Sequence, residues 1–410
     1  MNPRALSLAL PLLVACSGKD LADSDSGLPP ADFSDCTVVV EPGADPVTAA
    51  QTALIQAGEG DIVCLAEGTW VLNTELSLTT NNVTIKGAGA GRTVLDFATQ
   101  DVGAQGMSTL ADGTTFLDFS VLNTPGDGIR ATNVSDVTWR GMEVGWDAGA
   151  SLENGAYGVY PVGCDRVIIE NSSIHGARDA GAYVGQSTHI LVRGNDVYDN
   201  VAGIEIENST DAEVVGNNAH GNTAGILVFN LPGLAVGDGK RAKVHGNTIS
   251  ANNTENFAEA GTIVSSVPYG MGMLVLASDN NEISDNDITG NQTAAVVVIS
   301  YIEELLGSYE DAAYNAYAAD NYIHDNRITD NGTDPDPLLG ALAPDYRPFP
   351  DLVWDGCLES DTAPIFNGSC LNENGAATYL NLDFCGGFGD QVTDISAVTC
   401  VGEELPEQDL

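Results

Sequence analysis

Residues 181–228 read GAYVGQSTHILVRGNDVYDNVAGIEIENSTDAEVVGNNAHGNTAGILV, and a short pattern recurs in them. A glycine followed by alternating apolar positions returns as Gly181-Ala182-Tyr183-Val184, Gly203-Ile204-Glu205-Ile206 and Gly225-Ile226-Leu227-Val228, at steps of 22 residues. Working outward, Gly158-Val159-Tyr160-Pro161 lies 23 residues upstream of this set. Gly272-Met273-Leu274-Val275 lies 47 residues downstream, and Ala295-Val296-Val297-Val298 follows 23 residues later. A second register runs through Asn195-Asp196-Val197, Asn217-Asn218-Ala219, Asn247-Thr248-Ile249, Asn286-Asp287-Ile288 and Asn326-Arg327-Ile328. Beyond each of these stands a further asparagine: Asn200, Asn222, Asn252, Asn291 and Asn331. Such a column stacks side-chain amides from repeat to repeat and satisfies turn groups in αL-like geometry.

A repeat of about 22 residues holds three short strands and three turns, and it buries its apolar face only by stacking on the next repeat. The fold class that follows is all-β, a right-handed parallel β-helix with coils about 4.8 Å apart. The inward set is Val159, Ala182, Ile204, Ile226, Met273 and Val296, with Val184, Ile206, Val228 and Val275 two positions on. Open ends of such a stack are sheet edges that need a cover. Pro46 to Ala57 carries apolar groups at Val47, Ala50, Leu54 and Ala57, the spacing of an amphipathic cap helix. Gly60-Asp61-Ile62-Val63 then opens the first strand, and Asn82-Val83-Thr84-Ile85 another. Gly87-Ala88-Gly89-Ala90-Gly91-Arg92 imitates a phosphate-cradling loop but follows no β-loop-helix unit, so it reads as a turn between coils. Insertions at Leu231 to Arg241 and Asn253 to Tyr269 leave the repeat on one side and are placed to wall a groove. The period stops past Asn331. The expected division is a leader over 1–15, an acylated cysteine and tether over 16–35, the β-helix over 36–333 and a nonrepetitive C-terminal segment over 334–410.

The chain has 410 residues, of which 43% are hydrophobic, enough apolar material for a long core. Lys and Arg total 14 against 58 Asp and Glu, a formal net charge of -44. That field repels nucleic acid and anionic lipid, and it opposes anionic polysaccharides unless divalent cations intervene. Nucleic-acid partners are excluded on this ground.

Met1 to Cys16 carries one early charge, Arg4, and then an apolar stretch from Ala5 to Ala15 too short for a mature membrane span. It ends in Leu13-Val14-Ala15-Cys16, which is similar to the bacterial lipobox and makes Cys16 the expected site of lipidation. The expected address is the bacterial cell envelope, with the protein lipid-anchored through Cys16. Ser17 rather than Asp after the cysteine points to the outer membrane. Ser17 to Ser34 is rich in Ser, Asp, Gly and Pro and reads as a tether. Cys36, Cys64, Cys164, Cys357, Cys370, Cys385 and Cys400 remain in a compartment that permits disulfides. Cys36 with Cys64 would close the N-terminal end, the last four allow three pairings, and Cys164 is left over. With 5 histidines and no zinc-ligand spacing, no zinc site is expected. Asp279, Asp285 and Asp287 offer oxygen ligands for calcium, although Asx-rich turns explain them better; no other cofactor is expected.

The cap helix, Gly60-Asp61-Ile62-Val63 and Ala66-Glu67-Gly68-Thr69-Trp70 together resemble the start of the pectate-lyase-like superfamily. More narrowly, ENGAYGVYPV at 153–162, DAGAYVGQS at 179–187, NVAGIEIENS at 200–209 and FNLPGL at 229–234 are similar to a bacterial family of exported parallel β-helix repeat proteins. The likeness continues through Val353-Trp354-Asp355-Gly356 and so covers nearly the whole mature chain. It implies the fold, a lipoprotein or ordinary signal peptide, and a second exported protein encoded nearby. It implies no particular activity.

One residue past each first-strand inward position come Tyr160, Tyr183, Glu205, Leu227, Leu274 and Val297, one outward row across successive coils. Aromatic rings stack on pyranose C–H faces while carboxylates accept hydroxyl hydrogen bonds, so Tyr160, Tyr183 and Glu205 form a candidate sugar platform. Glu207 sits two residues after Glu205 on the same face, at about 6.5 to 7 Å, a separation that suits an inverting glycosidase pair. The candidate catalytic groups are Glu205, Glu207 and Asp179. The candidate substrate-binding groups are Tyr160, Tyr183, Gln186, Arg178, His175 and Asn208. Polysaccharide lyases need a base beside a neutralised carboxylate, and Arg178 is the only attractive candidate here. The Asp-Pro-His-Asp signature typical of mannuronan epimerases is absent. Of the aspartate set found in polygalacturonase-type hydrolases, only Asp179 has a counterpart. The favoured expectation is a protein that binds, and as an enzyme hydrolyses, a neutral or weakly charged polysaccharide. The alternative is a noncatalytic scaffold docking an exported redox or metal-handling partner through the same strip or through Leu227, Leu274 and Val297.

Overall fold

A computed structural model describes residues 31–410; the leader, Cys16 and most of the tether lie outside them. Three long parallel sheets run side by side along one axis, with 12, 11 and 10 strands, and the chain visits them in turn on each coil. Parallel strands joined by crossovers close in the right-handed sense, and the chain is a right-handed parallel β-helix. The register follows the repeat, with Ile204 opposite Ile226 and Ile226 opposite Met273. Every one of the ten residues expected to face inward is in the core and at most 2% exposed. Each Ile or Val so buried contributes about 1.5–3 kcal/mol relative to exposure.

The asparagines form two continuous ladders. The side-chain amide of Asn195 donates to Asn217, and the series continues through Asn247, Asn286 and Asn326 to Asn374, at 2.9–3.0 Å. The second runs from Asn200 through Asn222, Asn252 and Asn291 to Asn331 at 2.9–3.1 Å. The left-handed conformation belongs to the residue before each asparagine rather than to the asparagine itself. Gly194, Gly216 and Gly246 stand before the first ladder, and Asp199, Gly221 and Ala251 before the second, all at positive φ. That turn aims the buried amide along the axis while the backbone reverses outside it.

Helix Pro46–Gln56 covers the N-terminal end, capped by the Asp45 side chain and burying Ala50 and Leu54. The expected first strand at Ile62 is in fact second. Val38–Val40 precedes the helix and pairs with Ile62–Leu65, and the Cys36–Cys64 disulfide ties the two. At the other end the coil outlasts the sequence period. Leu352–Trp354 and Tyr379–Asn381 extend the 11-stranded sheet, and Cys370–Asn372 extends the 12-stranded one. The boundary expected at 333/334 therefore marks where the spacing breaks, not where stacking ends. Disulfides Cys357–Cys385 and Cys370–Cys400 select one of the three open pairings, and Cys164 is a buried free thiol. Asp279, Asp285 and Asp287 do not gather. Asp279 accepts from Ala319 N and Asn315, Asp285 is a left-handed turn residue, and Asp287 pairs with Arg327. The groups of ligating side chains that do converge among the described residues are Asp35-Cys36-Cys64 and Glu213-His245-Glu407.

Candidate functional site

The outer face of the 11-stranded sheet presents the predicted row in register: Tyr183 opposite Glu205, then Leu227, Leu274 and Val297 on successive coils. A second outward row runs Gly185, Glu207, Phe229, Leu276, Ile299. Over both rows lies a cavity of about 700 Å³ with Tyr157, Asp179, Tyr183, Glu205 and Glu207 at one end. Both insertions contribute to its walls, through Leu231 and through Asn256 and Thr262 to Pro268. The chain from Ser300 to Leu306, Asp336 with helix Pro337–Leu342, and Asp355, Leu382 and Phe384 supply the remainder, and none of these was marked by the repeat.

Three tyrosines pack together at the polar end. The rings of Tyr157 and Tyr160 stack at 4.4 Å, and Tyr183 tilts against them at 4.9 and 4.7 Å. The Arg130 guanidinium sits over the Tyr160 ring at 5.1 Å. Tyr183 donates its hydroxyl hydrogen bond to Glu207. It can do so because residue 185, next in the Glu207 row, is glycine, where a Cβ would lie 2.1 Å from that hydroxyl. Tyr157 donates to Asp179 at 3.1 Å. Tyr157 escaped the sequence reading, although a signal exists. It occupies the position that Ala180, Ala202 and Ala224 hold on the next three coils, a bulky residue at the head of a run of small ones.

The three carboxyl groups differ in environment. Glu205 is 2% exposed and has no hydrogen-bond partner among the described residues, although it lines the cavity. Burial, with the nearby charges of Asp179 and Glu207, holds its carboxyl well above the ordinary range. Glu207 is raised by burial, and the Tyr183 hydroxyl opposes that rise by favouring the anion. Asp179, half-buried at the rim, is pushed up to about 7 by burial with a contribution from Glu207, against the Tyr157 hydrogen bond and the Arg178 charge. Burial also raises the Tyr157 and Tyr183 hydroxyls far above their usual value, so both remain donors. Burial raises both adjacent acids, and only Glu207 receives a phenol hydrogen bond that favours its anion.

The other expected site residues have different roles. Arg178 lies beside Asp179 and pairs with Glu259 of the second insertion at 3.2 Å, tying that wall to the sheet. Asn208 donates to Leu231 O and Val236 O and accepts from Leu231 N, and Gln186 accepts from Ala235 N. Both therefore anchor the first insertion instead of facing a ligand. His175 does not join the site. It belongs to the 10-stranded sheet, stacked on Tyr198, which stacks in turn on His220.

Residues 105–252 match the family described as "Right handed beta helix region". Among solved structures, the chain is similar to the Azotobacter vinelandii mannuronan C-5 epimerase AlgE6 A-module, at 16% identity and a TM-score of 0.54, over 81% of this chain and 91% of that one. The AlgE4 A-module of the same organism follows at 14% identity and a TM-score of 0.49, over 83% and 93%. Pectate lyase Pel9A is next at 16% identity and 0.40, over 72% and 80%. No sequence among curated proteins matches. At these identities the likeness establishes the fold alone, and the chain is a right-handed parallel β-helix protein.

Proposed function

We propose that this protein binds a neutral or weakly charged glycan at the carboxyl end of the cavity and hydrolyses a glycosidic bond there. The observation that carries the reading is Glu205: a buried, unpartnered carboxyl facing a cavity, beside a second carboxyl that accepts a phenol hydrogen bond. In its neutral form Glu205 protonates the leaving oxygen as its bond to the anomeric carbon breaks, and ionised Glu207 either takes a proton from the water that bonds to that carbon or bonds to it first and is then displaced by water. Asp179 sits at the rim, near half-protonation at neutral pH, and can return the proton to Glu205 between turnovers. Tyr157 and Tyr183 offer ring edges and hydroxyl groups to the sugar. The net charge of -44 selects against uronate polymers, and the printed names of the structural neighbours, which act on mannuronan and pectate, support only the broad class of polysaccharide. Consistent with the N-terminal pattern, the protein is exported and held on the envelope by a lipid on Cys16, at the outer membrane. Replacing Cys16 by Ser should abolish incorporation of a labelled fatty acid.

The docking alternative loses the apolar one of its two surfaces. Leu227, Leu274 and Val297 are at most 5% exposed, roofed by insertions and by the C-terminal segment, so a folded partner has no flat apolar face to meet. To test the favoured reading, E205Q and wild type are compared on a panel of neutral oligosaccharides, with reducing-end release and binding measured in parallel. Turnover lost with binding retained is the expected result. Equal turnover by E205Q rejects the mechanism.

A further inference from the structure

Beyond Glu205 the cavity changes character. Its floor is Leu227, Leu274 and Val297 in one row and Phe229, Leu276 and Ile299 in the other. Its walls there are mainly Val264, Ile302, Leu306 and Leu339, from three separate segments, and the acids among them, Asp336 and Asp355, are already taken up by the backbone N–H groups of Leu338, Ser300 and Cys357. A glycan has no use for such a surface, because buried hydroxyls without partners are costly. Among the described residues that line the cavity none is Lys, Arg or His, so an anionic headgroup finds no counter-charge and meets five carboxyl groups instead, Asp179, Glu205 and Glu207 at one end and Asp336 and Asp355 elsewhere in the lining. The apolar part spans three coils past Glu205, about 14 Å at 4.8 Å per coil, which is the reach of an extended chain of roughly a dozen carbons. The volume of about 700 Å³ is within the range of a small-molecule site, not a polymer groove.

We propose that the substrate is an uncharged amphiphile of glycolipid type, its saccharide head among Asp179, Glu205, Glu207 and the tyrosines and its aliphatic chain over Leu227, Leu274 and Val297. This rests on the reading that the carboxyl end takes a saccharide. The carboxyl end alone is too small a part of the cavity to explain the enclosed apolar length, and the apolar length alone leaves Glu205 unpartnered. A single molecule with a hydroxylic end and a hydrocarbon end answers both.

The experiment is a calorimetric titration of the full chain with methyl, hexyl, octyl, decyl and dodecyl β-glucoside, each below its micelle concentration, alongside 1-decanol and decanoate. Each methylene buried is expected to tighten binding about fourfold, levelling off near twelve carbons. Decanol should bind more weakly than decyl glucoside, and decanoate more weakly still. V297W, which fills the far end, should bring the levelling-off to a shorter chain, with its circular dichroism checked against wild type. Saccharide binding without chain-length dependence overturns the amphiphile and leaves the glycan reading standing. Decanol binding as tightly as decyl glucoside overturns the saccharide head, and the glycan reading with it. Absence of binding by every alkyl glucoside overturns this inference outright.

Discussion

Replacing Asp179 by Asn should stabilise the protein at alkaline pH and leave it unchanged in acid. The carboxyl titrates near 3.8 when unfolded and at about 7 when folded. Between those values the folded state keeps a proton that the unfolded state has released, so stability falls as pH rises through the window. A gap of roughly 3 units is worth about 4 kcal/mol at full burial. Asp179 is half-buried, and solvent screening brings this to about 2 kcal/mol, or roughly 2–3 °C of melting temperature for a fold of this size. Asparagine resembles the neutral acid and can still accept from the Tyr157 hydroxyl, so the variant carries no alkaline penalty. Thermal melts followed by circular dichroism at pH 4 and pH 8 measure the effect. D101N, at an exposed position, corrects for removing one charge from a chain of net charge -44. A D179N melting shift that is equal at both pH values, or no larger than that of D101N, refutes the burial argument and the proton-return role built on it.

Two further substitutions test the scaffold that carries the site. N222A removes the one acceptor that the Asn200 backbone N–H has among the described residues, along with the amide link to Asn252. The cost should be about 3 kcal/mol, seen as faster hydrogen exchange in peptides around Asn200; unchanged exchange would mean the ladder is ornamental. G203A places a Cβ 2.6 Å from Gly225 O and should destabilise by about 1–3 kcal/mol, whereas G237A, with nothing within 4 Å, should be neutral in the same urea titration.

The fold was legible because its determinants are local and periodic. A 22-residue spacing, an alternating strand and a buried amide each leave a mark that recurs, so core positions from Val159 to Val298 could be named one by one. The carboxyl row was legible for the same reason, since register places Tyr183, Glu205 and Leu227 in line. What was not legible depends on aperiodic chain. The strands Leu352–Trp354 and Tyr379–Asn381 rejoin the stack after long excursions that erase the spacing. Gln186 and Asn208 looked like ligand groups because they end outward strands, but both are left-handed turn residues whose amides hold an insertion. His175 was misplaced by nearness in sequence to Asp179, although a sharp turn between two sheets separates them.

The insertions also decide what kind of site this is. A bare β-helix offers a long open face, suited to a polymer that enters and leaves along the axis. Here the repeat is interrupted after Phe229, after Asn252 and after Ile299, and all three excursions return over the same face of the same sheet. Open residues of one row become a floor, with Leu227, Leu274 and Val297 withdrawn from water. On the upstream side the excursion 146–156 that leads into the Tyr160 strand lines no part of the cavity, and Tyr160 and Arg130 stay partly open. The carboxyl groups stand at the junction of the two regions, where the field of the acids meets an apolar enclosure that strengthens it. A ligand that reaches Glu205 must therefore present one face to the open coils and another to the enclosure, and this asymmetry narrows the substrate more sharply than any single residue does.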